Sequence, residues 1–328
     1  MVFQGEFLSS KATGLLTTFI VKKALPALEQ DLQAQKFTVK ASIPAGQGLV
    51  GRINQYSSPV MGTSGALTEG STGNWVDVTV SPVNITISEI GEAMHIPTIM
   101  DIAASAGMRQ DLVDRFAFGG KLKIDTLVLA QFYANATTIM QCLGTTAGAV
   151  AYPNAAVPTG MNATAIIAAK KKLKDAYSQG FTNVAGIPSG HMAVMLSEQA
   201  EVDMVTEVSA GRVCWAAAKT NVPGYQGQES WVNGYIGSVY GVACVTSQNV
   251  TTGQTISGTN SSANIVTAYG AVGAVAFGDM NMSVYINTPN ANSTDNPYRN
   301  FSTVAWYGMF GTKLLDVNRT VKLYSAGS

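Results

Sequence analysis

The sequence predicts an α+β fold in which helices and strands are segregated along the chain. Three observations carry this. One helical pattern, Ser105 to Thr138, is longer than any other in the chain. Strand patterns with two-residue alternation fill the stretch before it and the last fifth of the sequence. A second helical pattern, Ala163 to Gln179, stands between those two strand-rich regions.

The long helix rests on Val113, Phe116, Ala117, Gly120, Ile124, Leu127, Val128 and Phe132, which recur three and four apart and form one apolar stripe. Arg109, Asp111, Asp114, Arg115, Lys121, Lys123 and Asp125 fall mostly outside it, and Ser105 is placed to cap its start. At about 1.5 Å per residue it is roughly 40–50 Å long, so it must lie across a sheet or along the spine of an elongated body. Gly119 and Gly120 in its middle each cost about 1 kcal/mol relative to alanine, which implies close packing or a bend there.

In chain order, residues 1–14 read as a polar arm. Leu15 to Gln35 has helical spacing, interrupted at Pro26. Phe37 to Ile43 alternates as a strand. Leu49 to Tyr56, Trp75 to Val80 and Val83 to Ile90 follow as further strands around a Gly-, Ser- and Thr-rich segment, 57–75. Two strands around a mobile tip make an extended hairpin arm, which is barely stable alone and needs a surface to lie on. After the long helix, Gly144 to Gly160 reads as a loop. The second helix is capped by Asn162, carries the stripe Ile166, Ala169, Leu173 and Tyr177, and stops at Gly180. His191 to Leu196 reads as a buried strand, and Ser197 caps a short helix through Glu207. Ile236 to Ser247, Val266 to Phe277, Asn281 to Asn287, Phe301 to Leu315 and Thr320 to Tyr324 read as strands, with polar loops at Gly253 to Asn260 and Thr288 to Asn300.

The 328 residues are 46% hydrophobic, enough for a large core, and only 12% charged, about half the usual share. A weakly charged surface suits a protein covered by its neighbours. The balance of 20 cationic and 20 acidic residues argues against general nucleic-acid or membrane-surface binding. Cys142, Cys214 and Cys244 are odd in number and scattered, as expected of free buried thiols in a reducing compartment. The first ten residues do not form a signal peptide, and no apolar run reaches the length of a membrane span. Nine N-x-S/T triplets, such as Asn84-Ile85-Thr86, are then chance products of an Asn-, Ser- and Thr-rich chain.

Chemistry-bearing motifs are sparse. Gly46 to Gly51 formally spells GxGxxG, but Arg52 to Pro59 after it is no helix, so it reads as a turn. His95 and His191 stand alone, without metal-ligand spacing. Ser189 with His191, and Glu201 with Asp203, are spaced wrongly for a nucleophile–base pair or an acid–base pair. The four tryptophans read as packing. Lys170, Lys171, Lys172 and Lys174 crowd the second helix; a solvated face is the favoured reading and an anion patch the other. No catalytic, cofactor-binding or metal-binding residue is expected.

The order of parts resembles a tailed-bacteriophage major capsid protein of the Hong Kong 97 type, and within it the family typified by phage N-four. The similar segments are Ile43-Pro44 with its Gly-rich turn, Leu67-Thr68-Glu69-Gly70, Asp101 ahead of the long helix, Asn233 to Val242, and Asn296-Pro297 to Val321. The resemblance implies an N-terminal arm (1–36), an extended β-hairpin loop (37–90), a peripheral domain with the spine helix (91–140 and 251–310) and an axial domain (141–250 and 311–328). It implies hexamers and pentamers of an icosahedral head around double-stranded DNA, touched non-specifically at most, with room for a separate scaffolding protein, a portal and a decoration protein. It implies no enzyme activity, cofactor or membrane, and places the protein in the virion after assembly in the host bacterial cytoplasm. The inter-subunit contacts expected are Leu67, Thr68, Glu69, Gly70, Trp75, Asp295 and Arg299. Some relatives crosslink through an extended-loop lysine; no lysine stands between Lys40 and Lys121 here, so shells without covalent crosslinks are expected. With helical spacing beginning by Leu15, no fused scaffolding segment is expected either. A secreted or surface-displayed β-rich adhesin or layer protein is the competing expectation.

Overall fold

The computed structural model describes residues 32–44, 48–56, 78–97, 108–135, 137–143, 149–151, 156–182, 184, 187–209, 235–256, 258–277, 283–287 and 300–327. In chain order the strands are β1 (Thr38–Ile43), β2 (Val50–Tyr56), β3 (Val80–Thr86), β4 (Ser88–Pro97), β5 (Ile139–Cys142), β6 (Ala149–Ala151), β7 (Met192–Leu196), β8 (Tyr235–Val239), β9 (Val242–Thr246), β10 (Gln254–Ile256), β11 (Thr259–Thr267), β12 (Val272–Phe277), β13 (Ser283–Asn287), β14 (Phe301–Leu314) and β15 (Thr320–Ala326). The helices are α1 (Met108–Tyr133), α2 (Ala163–Asp175) and α3 (Glu198–Ser209).

They form three sheets. The first runs β1-β12-β14-β13, with β4 on the other side of β14. The second runs β6-β5-β15-β11-β7-β9-β8, with β10 added to β11. The third is the two-stranded ribbon β2-β3. Thus β1, expected near the hairpin, is instead bonded in parallel to β12, and the paired strands of the arm are β2 and β3.

α1 joins the two large sheets. Val113, with Leu112 and Phe116, packs on Ile96 and Val304 of the first sheet. Val128, Leu129 and Phe132 pack on Ala193, Met195, Val245 and Ile265 of the second. The apolar stripe is as read from the sequence, but the helix is shorter, and Ser105 lies outside the described residues. It ends at Tyr133 because Asn135 turns its side chain to the chain beyond, where its Oδ1 accepts from the amides of Thr137 and Thr138. Asp125, expected off the buried face, is fully buried. Its carboxylate accepts from the Gln35 amide at 3.3 Å and from Asn249 Nδ2 at 3.1 Å, tying the turn Ala34–Phe37 and the loop after β9 to the helix.

The opposite face of the second sheet is covered by α2 and α3. Ala165, Ile166, Ala169 and Leu173 of α2 and Ala200 and Met204 of α3 share one core with Met192, Val194, Leu196, Cys244 and Val266. Asn162 caps α2 through Ala165 N at 2.7 Å, and Ser197 Oγ accepts from Ala200 N in α3. The expected stripe fails at one place: Tyr177 is 93% exposed, because α2 stops at Asp175 and Tyr177 takes a left-handed backbone, φ 55°. Gly180, expected as the stop, serves a close crossing instead; a Cβ there would sit 2.1 Å from the Gly190 carbonyl oxygen.

The single strand expected over Ile236 to Ser247 is the hairpin β8–β9, turned at Tyr240-Gly241. The polar loop expected over Gly253 to Asn260 forms the hairpin β10–β11, and a turn at Ala268 to Ala271 divides the expected Val266 to Phe277 strand. Among the described residues, no helix is long and apolar enough to cross a membrane.

Candidate functional site

Side chains with chemistry are dispersed rather than gathered. Among the described residues no group of three or more His, Cys, Asp or Glu is placed to hold a metal ion. His95 stacks edge-on against Phe301 and faces Thr303 Oγ1 at 3.3 Å. The nearest partner of His191 Nδ1 is the Ser189 carbonyl, not its hydroxyl. Glu201 accepts from Thr246 Oγ1, while Asp203 accepts from the Met161 amide and from Gln199 Nε2, so the two carboxylates serve different partners. A hollow of about 640 Å³ between the start of α3 and the loop after β9 is lined by Ser197, Glu198, Gln199, Ser247, Gln248 and Ser262, with no histidine or cysteine among the described lining residues.

Cys142 and Cys244 are free and fully buried. Burial pushes the Cys244 thiol up to about 12, and burial with the nearby Asp203 carboxylate moves Cys142 in the same direction. An unfolded thiol ionises near pH ~8.5. Above that value the unfolded chain releases protons that the folded chain retains, so stability is full below it and falls as pH rises toward the folded value. Between pH ~8.5 and ~9.5 the expected loss is about 1 kcal/mol for each thiol, the slope steepening toward about 1.4 kcal/mol per pH unit above that. Urea midpoints between pH ~8.5 and ~9.5 check this; a flat profile rules it out.

A two-stranded ribbon lies over the first sheet. β2 and β3 pair in register from Val50↔Thr86 to Tyr56↔Val80. Their inner face carries Ile53 and Ile85, which enter a small core with Ile43, Ile87, Val275, Met309 and Leu315. Close approach depends on missing side chains: a Cβ on Gly311 would lie 2.5 Å from Thr86 O, and one on Gly273 would meet Ile85 and Ile53 at 2.9 and 3.0 Å. Lys313 Nζ donates to Asn84 O and fastens the same crossing. The outer face leaves Val50, Tyr56 and Val80 exposed, with Leu49 and Val78 beside them. Tyr56 and Val80 stand directly opposite each other at the far end. An isolated ribbon of this kind gains little stability from its own contacts; the apolar residues exposed at the two ends of its outer face, separated by Arg52, Asn54 and Asn84, are a feature that the sequence pattern did not single out. The signal available was the alternation itself, which puts Val50 and Tyr56 on the face opposite Ile53.

Leu67, Thr68, Glu69, Gly70 and Trp75 fall within the segment between β2 and β3, and Asp295 and Arg299 within the segment between β13 and β14; all seven lie outside the described residues. β13, which leads into the latter segment, exposes Tyr285 and Ile286.

No family model matches the chain. No curated protein matches it by sequence. Solved structures match over nearly its whole length. The capsid of cyanophage P-SCSP1u is 14% identical, with TM-score 0.64, covering 96% of this chain and 94% of that one. The capsid of Ralstonia phage GP4 is 12% identical, with TM-score 0.67 and 95% of both chains covered. The SrpI encapsulin complex of Synechococcus elongatus is 12% identical, with TM-score 0.56, covering 93% and 91%. The chain therefore has the α+β, Hong Kong 97-like fold common to phage capsids and an encapsulin, as the sequence resemblance implied.

Proposed function

We propose that this chain is the major capsid protein of a tailed bacteriophage, a structural rather than catalytic protein that assembles into hexamers and pentamers of an icosahedral head around double-stranded DNA. The observation that carries this is the end-to-end match to phage capsid chains, with both partners covered by about 95% in the Ralstonia phage case. The β2–β3 ribbon and the long helix joining two sheets suit it, because neighbouring subunits would cover the apolar residues that the ribbon leaves exposed. The parts are assigned as an arm (1–36), an extended loop (37–90) with the β2–β3 ribbon as its stem, a peripheral domain (91–140 and 251–310) and an axial domain (141–250 and 311–328). Leu67, Thr68, Glu69, Gly70, Trp75, Asp295 and Arg299 contact neighbouring subunits. This reading leaves room for a separate scaffolding protein, a portal and a decoration protein as partners, and makes the virion its destination after assembly in the host cytoplasm.

A protein-cargo compartment is the second reading, favoured by the encapsulin match alone. Electron microscopy of the expressed chain, with assay of the nucleic acid inside purified particles, separates the two. Trp75→Ala serves as the contact test. Burying a large apolar side chain contributes about 2 kcal/mol per contact, and that term is repeated through a shell. The variant is expected to keep its circular dichroism spectrum and lose most particle assembly. Normal particles from Trp75→Ala would remove that residue from the contact, and absence of particles from the parent chain would remove the shell reading.

A further inference from the structure

We propose that the C-terminal half of α2 and the β8–β9 turn beside it form a contact surface for the phosphate backbone of double-stranded DNA. The inference rests on the shell reading for the source of the DNA, but its residues are chosen on their own geometry. α2 buries Ile166, Ala169 and Leu173 and turns Lys171, Lys172 and Lys174 to solvent. Four lysines within five positions, with Asp175 as the helix's one carboxylate, are a local positive field in a chain that is neutral overall. Lys170 is used differently. Its Nζ donates to the Tyr240 carbonyl and so ties the turn to the helix. Of the described carboxylates on α3, Glu201 and Asp203 are engaged with Thr246 and with Met161 and Gln199, and Glu198 accepts from Gln248.

The second observation is conformational. Among the described residues Tyr177 and Tyr240 are the non-glycine residues with left-handed backbone, at φ 55° and 47°. They are also strongly exposed, at 93% and 64%. Tyr177 closes α2, its amide bonded to Lys174 O and the next amide to Leu173 O, a position that glycine fills with less strain. Tyr240 precedes Gly241 in a two-residue hairpin turn, where asparagine or glycine fits better. Tyr177 follows Lys174 at the end of α2 and Tyr240 is bonded to Lys170; strain retained at two solvent-facing rings is not explained by packing.

The chemistry selects the partner. Lysine ammonium groups are point charges and tyrosine hydroxyls are single donors; both suit phosphate oxygens. Among the described residues the surface has no arginine fork to read base edges, so contact is independent of sequence. With about three phosphates neutralised per subunit, affinity should fall about 40-fold between ~50 and ~200 mM salt.

The test is a mobility shift of the full chain with a duplex fragment of a few hundred base pairs, run beside electron microscopy of particles. The combined variant Lys171→Gln, Lys172→Gln, Lys174→Gln is expected to lose at least tenfold in affinity and most of the salt dependence. Lys121→Gln with Lys123→Gln, exposed on α1, is expected to change neither. Tyr177→Gly is expected to raise Tm by about 2 °C while weakening binding, opposite signs that a merely structural tyrosine would not give. The proposal is overturned if the parent chain does not shift DNA at low salt, if the triple variant binds like the parent, or if polyglutamate competes better than DNA. Loss of particles with DNA binding intact would count against the shell reading and leave this surface standing.

Discussion

Valine in place of Gly311 should lift the β2–β3 ribbon off its sheet and lower folding stability by about 3 kcal/mol. At this position β3 passes over β14. The first added carbon would sit 2.5 Å from Thr86 O and 3.2 Å from Ile85 Cγ2. Thr86 O is a backbone atom, so no rotamer change relieves the clash, and either the ribbon or β14 must move. β14 is held on both sides, by β12 through Val275↔Gly311 and by β4 from the neighbouring Phe310↔Ser88 pair. Among the described residues the ribbon rests on its small core and the Lys313–Asn84 bond at 3.1 Å, so it gives way. Displacement re-exposes Ile85, now 1% exposed, and Ile53. Urea midpoints report the loss, and amide exchange in β2 and β3 reports its place. Unchanged exchange in both strands would show that the ribbon is not seated through Gly311. If the ribbon is an assembly element, particle yield should fall with it.

Where local pattern and final environment agree, the sequence was sufficient. Phe301 to Leu315 alternates, and β14 buries Ser302, Val304 and Trp306 while its other face is half-covered. Asn162, Ile166, Ala169 and Leu173 mark α2 because its cap and stripe are local properties. The pattern misled where burial is polar. β11 buries Ser261, Ser262, Asn264 and Thr267 and so looks like a loop in its first half. Asn264 is tolerated because its Oδ1 accepts from Ser197 N at 2.8 Å and its Nδ2 donates to Ser325 Oγ at 2.8 Å, partners far away in sequence. Asp125 was misplaced for the same reason, since the donors that make its burial tolerable lie 90 and 124 positions away. β5 and β6 are too short to show a period, and β5 is specified by its parallel pairing with β15. Of the ribbon's two strands β2 was legible, whereas β3 runs through the expected break at Ser81-Pro82 and the expected Val83 to Ile90 strand divides at Ile87 between β3 and β4. The ribbon's exposed outer face was not legible, because alternation shows that two faces exist without showing which is covered.

Asn135→Leu should be the most damaging single change among the buried polar residues, at about 4 kcal/mol or more. Asn135 is fully buried where α1 hands the chain to β5. Its Nδ2 donates to Val317 O and to Thr320 O, both at 2.8 Å. Its Oδ1 accepts from Thr137 N at 2.9 Å and from Thr138 N at 3.3 Å. Each bond serves a backbone group, and leucine, of similar size, would fill the space without serving any of them. A buried backbone group left without a partner costs about 1–3 kcal/mol, so the two buried ones, Thr320 O and Thr138 N, at about 2 kcal/mol each, account for the expected loss. A loss of that size is a large part of a domain's usual stability of about 5–15 kcal/mol. Asn135→Asp separates the two halves of the role. It keeps the acceptor for Thr137 and Thr138 but turns an oxygen toward two carbonyls, which favours the protonated acid. Its folded pKa should therefore be raised above the unfolded ~3.9, so the variant is at its best below that value and loses stability as pH rises toward neutrality. The measurement is the urea midpoint of both variants and the parent at pH ~4 and ~7. A leucine variant within about 1 kcal/mol of the parent, or an aspartate variant whose deficit does not shrink in acid, would mean that Asn135 is not the tie between α1, β5 and β15.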